Sequence, residues 1–150
     1  MSQQQGQYVS LPRILITDDH PEIITVVKQQ MNNMASIVGS AHDGAAMLQT
    51  AEALKPDVVF LDISMPDMNG FEAAHRLLAL MPQMRIIFLT MHDRPSYVRE
   101  AFRLGARGYV LKSSAGELPT AIDRVMQGGR FLSSTLRAAH PELILATPSI

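Results

Sequence analysis

The chain has 150 residues, 47 % of them apolar and 18 % charged, a composition that buries one core of ordinary size and excludes a disordered chain. The formal net charge of −1 offers no field to hold nucleic acid or anionic lipid, and the absence of cysteine excludes disulfides, thiolate nucleophiles and cysteine-ligated metal centres. Apolar runs reach only about five residues against the ~20 of a membrane helix, and the N-terminus lacks a basic region followed by an apolar one, so no membrane association and a cytoplasmic location are expected.

Residues 1–11 are Gln-rich and polar, and are expected to be a disordered leader. Ile14-Leu15-Ile16, closed by Thr17-Asp18-Asp19, reads as a buried strand. Pro21 suits a helix start, and Ile23, Ile24, Val26, Val27 and Met31 give that helix its apolar stripe. A weaker strand covers 37–41. Asp43-Gly44 opens a helix with Ala46, Met47, Ala51 and Leu54, stopped by Pro56. The clearest strand, 57–61, ends at Asp62 before a turn-rich loop, 64–70. A helix at about 71–80, a strand at 85–90, a helix at 95–104 closed by Gly105, and a strand at 108–111 follow. The last helix, about 117–126, carries Pro119 in its first turn and ends at Gly128-Gly129.

Five strands thus alternate with five helices. The strands are continuously apolar, which predicts burial on both faces: an α/β, doubly wound, five-stranded parallel sheet with helices on both sides. The domain is expected over 12–132, with 133–150 as a linker or tail too short for an output domain. Within that tail Leu143-Ile144-Leu145 is too brief to assign, and Thr147-Pro148 reads as punctuation.

Ligands of open parallel sheets bind outside the carboxyl ends of the strands. There the sequence places Asp18 and Asp19, Asp62, Thr90 and Lys112. Strand order is not readable from one sequence; if these four strands are neighbours, the five side chains share a pocket. One Asp at a strand end usually caps a helix or turn. An adjacent pair plus a third, each directly after an apolar strand, is far less ordinary. Three carboxylates so close repel unless a hard divalent cation joins them, and oxygen ligands suit Mg²⁺ (or Mn²⁺). A hydroxyl at Thr90 and an ammonium at Lys112 would complete a cradle for a tetrahedral anion. Each alone reads as an ordinary strand-end residue. No Gly-x-Ser-x-Gly elbow or cysteine competes as nucleophile, so carboxylate attack on phosphorus is the chemistry left, with Asp62 the choice.

The segments 14–21, 60–70, 89–90 and 108–112 together resemble a response-regulator receiver domain of two-component signalling. Asp18-Asp19-His20-Pro21, the stretch 105–118 and the stretch 128–134 look like the NarL/FixJ (LuxR-type) branch. The resemblance implies a (βα)5 flavodoxin-like receiver fold. It implies that Asp62 accepts a phosphoryl group from a sensor histidine kinase or a small donor. Asp19 would ligate Mg²⁺ directly, Asp18 through water, with Asp62 and the Ser64 backbone carbonyl completing the protein ligands. Thr90 and Lys112 would hold phosphoryl oxygens. Tyr109 would be the aromatic switch, coupling Thr90 to the surface of the fourth helix, fifth strand and fifth helix. It further implies homodimerisation on phosphorylation, transcriptional output, and DNA contact only through a helix-turn-helix domain outside this chain. Ser113 stands where many receivers have proline, so a trans Lys112–Ser113 bond is expected.

A stand-alone receiver acting by protein contact is the alternative. A haloacid-dehalogenase-type phosphatase is the remote one, since Ser64 occupies the position of its general acid. Not an enzyme in the ordinary sense, the chain is expected to assist its own phosphorylation from small donors and its own dephosphorylation. Arg94, Arg99, Arg103 and Arg107 read as a solvated helical face before a binding patch. His20 and His92 lie next to the expected site, His92 where it could influence acyl-phosphate hydrolysis. The histidines show no zinc spacing.

Overall fold

The computed structural model describes residues 10–143. Most of the expected leader, residues 1–9, and the tail from 144 onward, including Ile144-Leu145 and Thr147-Pro148, lie outside them. The elements follow in chain order: β1 (Arg13–Thr17), α1 (Glu22–Met31), β2 (Ser36–Ala41), α2 (Gly44–Leu54), β3 (Val58–Leu61), α3 (Gly70–Leu80), β4 (Arg85–Thr90), α4 (Pro95–Leu104), β5 (Gly108–Leu111), a 3-10 segment (Lys112–Glu117), α5 (Leu118–Met126), β6 (Phe131–Leu132) and α6 (Ser134–Ala139). The sheet order is β2-β1-β3-β4-β5-β6, with every pairing parallel.

Strand side chains alternate between two cores. Leu15, Val59, Leu61, Ile86, Phe88 and Tyr109 face α2, α3 and α4. Ile14, Ile16, Val58, Phe60, Ile87, Leu89 and Val110 face α1 and α5. This two-sided burial explains the unbroken apolar strands. Each large side chain so buried contributes about 1.5–3 kcal/mol. Local signals set the helix ends. The Asp43 carboxylate accepts the Ala46 N–H at the start of α2, and Asn69 accepts that of Glu72 at the start of α3. Gly105 closes α4 at φ +111°, a left-handed turn where a side chain would be strained. The described residues contain no cis peptide bond.

Two expectations at the C-terminal side need correction. The sheet has six strands, because Phe131 and Leu132 pair with Gly108 and Tyr109. Two residues carry no readable period. The edge of β5 templates them, the Phe131 N–H reaching the Arg107 carbonyl and the Ser133 N–H that of Tyr109. The stretch after Leu132, expected as a linker or C-terminal tail, folds onto the domain as far as it is described: α6 forms, and Leu136 and Leu143 are buried in the core. Ser133 Oγ accepts the Leu111 N–H at 2.9 Å, and Ser134 donates through its N–H and Oγ to the Glu117 carboxylate. These are long-range contacts invisible to local pattern.

Candidate functional site

The strand order makes β1, β3, β4 and β5 consecutive neighbours, so their carboxyl ends line one rim. Asp18 and Asp19 follow β1, Asp62 follows β3, Thr90 ends β4 and Lys112 follows β5. Asp18, Asp62 and Thr90 are buried, whereas Asp19 is exposed. Backbone bonds hold the acids: the Asp18 N–H donates to the Ala41 carbonyl and the Asp62 N–H to that of Thr17.

The Lys112 ammonium lies between two carboxylates, 2.9 Å from Asp18 Oδ2 and 2.9 Å from Asp62 Oδ2. Burial acts to lower its pKa, but hydrogen bonds and charge from Asp18 and Asp62 outweigh that and raise it. The other Asp62 oxygen accepts the Ile63 N–H at 2.7 Å. His20 leans on the cluster from outside, its Nδ1 2.9 Å from Asp18 and 3.0 Å from Asp19. The hydrogen bond to Asp18, then the charges of Asp19 and Asp18, raise its pKa. Ligand atoms of Asp18, Asp19, His20 and Asp62 lie within 4.8 Å of one another. The three carboxylates of Asp18, Asp19 and Asp62 form an oxygen donor set of the hardness a divalent magnesium ion takes.

The five strand-end residues therefore come together on one rim. Ser64 follows two residues after Asp62 in the exposed loop, its Oγ 2.8 Å from His92 Nε2. Tyr109 does not enter the acid pocket. It is fully buried below the rim, tilted against Phe88 with centroids 6.2 Å apart, and donates to the His92 carbonyl at 2.7 Å. Thr90 Oγ1 accepts the His92 N–H at 3.3 Å. His92 is thus bound through its main chain to both Thr90 and Tyr109 and through its ring to Ser64. Its ring also meets Tyr97 edge-on at 4.7 Å, and Tyr97 meets Phe71 at 5.9 Å. The sequence suggested His92 by position only, and offered no signal for Tyr97.

A further contributor is Asp67, which sequence reasoning placed in the loop without a role. Its carboxylate accepts the N–H groups of Gly44 and Ala45 at 2.9 Å each, and that of Met68 at 2.8 Å. The loop after β3 is thereby tied to the N-terminus of α2. Gly70 is the second anchor: its N–H donates to the Ile63 carbonyl at 2.6 Å, and a Cβ there would overlap the Asp62 carbonyl. The arginines of α4 behave as the solvated face expected, Arg103 lying bidentate on Glu100.

Residues 14–123 match the family model of the response regulator receiver domain. The chain is 36 % identical over 123 residues to the transcriptional regulatory protein DegU of Brevibacillus brevis, covering 80 % of this chain and 52 % of the relative. It is 36 % identical over 126 residues to the nitrate/nitrite response regulator protein NarL of Escherichia coli (strain K12), covering 82 % and 58 %. The chain thus spans about half the length of the curated relatives it matches. Among solved structures, a two-component response regulator of the LuxR family from Aurantimonas sp. SI85-9A1 superposes with a TM-score of 0.83 at 29 % identity, over 91 % of this chain and 99 % of that one.

Proposed function

Because the chain belongs to the response regulator receiver domain family of two-component phosphorelay signalling, we propose that Asp62 is its phosphoacceptor and that the rim around it is the switch. The observation carrying this reading is the contact of Asp62 with Lys112, itself paired with Asp18, on a rim of four adjacent strand ends that also carries Thr90. One carboxylate oxygen of Asp62 attacks the phosphorus of a phosphohistidine or of acetyl phosphate. The P–N or P–O bond breaks, its electron pair leaves with the donor, and an acyl phosphate remains on Asp62. Lys112 then exchanges a carboxylate partner for a phosphoryl oxygen, and Thr90 turns its hydroxyl from the His92 N–H toward the phosphate. Asp18, Asp19, Asp62 and the Ser64 carbonyl would hold Mg²⁺ (or Mn²⁺), which when bound neutralises charge on the phosphoryl oxygens.

Loss of the Thr90 contact frees the His92 main chain, which Tyr109 also holds. The displacement then passes to α4, β5 and α5. The His92 ring, anchored on Ser64 beside the acceptor, controls access of water to the acyl phosphate. An unchanged dephosphorylation rate in His92→Ala would sink that role. The remaining elements of the proposal are a sensor histidine kinase as donor, homodimerisation on phosphorylation, a cytoplasmic location, and transcriptional control through a C-terminal helix-turn-helix domain. Action by protein contact alone is the alternative output, and the reading frame beyond Ile150 separates the two.

The test is Mg²⁺-dependent labelling by acetyl phosphate. The parent chain takes one phosphoryl group and Asp62→Asn takes none; equal labelling of both overturns the assignment. Steady turnover of a phosphate ester would favour a phosphatase, for which Ser64 supplies no carboxylic acid.

A further inference from the structure

At the opposite side of β5 from the phosphorylation rim, residues of α4, α5, β6 and α6 line a half-open cavity of about 200 Å³. Its apolar wall includes Phe102, Phe131 and Leu143, and its polar wall is made of Arg124, Arg130 and Arg137. The Arg130 guanidinium lies over the Phe102 ring at 5.6 Å, and that of Arg137 over the Phe131 ring at 5.6 Å. Stacking on an aromatic face fixes a guanidinium plane and leaves its N–H edges as the only hydrogen-bonding surface.

Those edges have no protein partner among the described residues. Nε and Nη1 of Arg130 are shut off from solvent and unpaired among the described residues. No carboxylate of the described residues forms an ion pair with Arg124, Arg130 or Arg137. Burial, and then the charge of Arg107, push the Arg130 pKa down, so a second positive charge acts on this guanidinium. Buried polar groups are normally satisfied, and a guanidinium left open in this way is a receptor for a planar or tetrahedral anion. The aromatic wall adds a requirement for an apolar body on that anion.

We propose that this cavity is a binding site for a small organic carboxylate, its carboxylate forked on Arg130 and Arg137 and its apolar body in the space lined by Phe102, Phe131 and Leu143. The side chain of Arg130 shifts toward the incoming oxygens, exchanging unpaired N–H groups on Nε and Nη1 for charge-assisted hydrogen bonds. This site is independent of the Asp62 chemistry.

The experiment is an NMR titration of the 150-residue chain with sodium benzoate, with benzamide as its uncharged twin and inorganic phosphate as an anion without an apolar body. Benzoate is expected to give saturable shifts at the backbone amides of Phe102, Phe131 and Leu132. Benzamide, phosphate, and benzoate with the Arg130→Met variant are each expected to bind about tenfold or more weakly there. Arg130→Met keeps the stem that packs on Phe102; should it not fold, Arg137→Gln on the exposed face of α6 carries the same expectation. Equal binding of benzamide or phosphate, unchanged affinity in the folded variant, or no saturable shift at these amides up to about 20 mM overturns the proposal.

Discussion

The Tyr109 hydroxyl, at the buried end of β5, donates a 2.7 Å hydrogen bond to the main-chain carbonyl of His92 in the loop after β4. One side-chain bond therefore ties the interior of the sheet to the segment that also holds Thr90. Burial, and then the charges of Asp93, Tyr97 and Asp62, raise the Tyr109 pKa. A phenol whose folded pKa lies above its unfolded value contributes stability that is complete below the unfolded value, about 10, and is lost as pH rises beyond it. Tyr109→Phe is expected to cost about 0.5–1.5 kcal/mol at neutral pH. It is also expected to flatten the decline of stability above about pH 10. Urea unfolding of both chains between neutral pH and pH 11 checks this; parallel pH profiles would contradict it.

Lys112 is the counter-ion of two buried carboxylates. Its replacement by Met strands them, and a loss of about 1–3 kcal/mol is expected in metal-free buffer. Mg²⁺ should restore part of that loss. In the parent, the melting temperature should climb with Mg²⁺ concentration and fall back on chelation, because a ligand of the folded state alone stabilises it. Asp19→Asn should weaken the climb. Melting curves with and without EDTA decide it; a metal-independent Tm in both chains is the adverse result.

The close approach of Gly70 to the Asp62 carbonyl makes this glycine part of the site's scaffold. Gly70→Ala has to push backbone against backbone. A destabilisation of about 1–3 kcal/mol is expected, together with slower labelling by acetyl phosphate. Labelling at the parent rate would show that Asp62 keeps its place without this contact.

Asp67 carries an acid-side prediction. Hydrogen bonds from Gly44, then Ala45 and Met68, lower its pKa against an opposing effect of desolvation. A depressed folded pKa contributes stability that is present above the unfolded value and lost as pH falls through the folded one. Asp67→Ala is therefore expected to unfold at lower denaturant near pH 7 and to lose less stability than the parent on acidification to pH 3. Coincident acid limbs for the two chains would contradict this.

Much of this molecule was legible locally. β4 and α4 match their expected bounds because a β-branched run, Pro95 and Gly105 are signals a few residues long. The five strand-end residues were legible because the ends of apolar runs mark where a parallel sheet exposes its carboxyl rim. Strand order was not, since the β1–β3 pairing joins residues more than forty positions apart. The bond from Tyr109 to His92 and the hold of Asp67 on Gly44 and Ala45 escaped notice for the same reason: each joins side chain to main chain across separate elements. The start of α5 was legible to within one residue, whereas the 3-10 segment before it, from Lys112, was not, because its tighter pitch has no distinct apolar period.

The two-residue β6 governs how copies of this domain can meet. An exposed strand edge invites another chain to add on by main-chain hydrogen bonds. Here β6 already closes the edge of β5 at Gly108 and Tyr109, and what replaces it is too short to template a partner. The opposite edge, β2, is offset by an irregularity in its pairing with β1 at Ile14 and Leu15. Both features work against association by sheet extension and favour the helix faces as the surfaces on which copies of this domain meet.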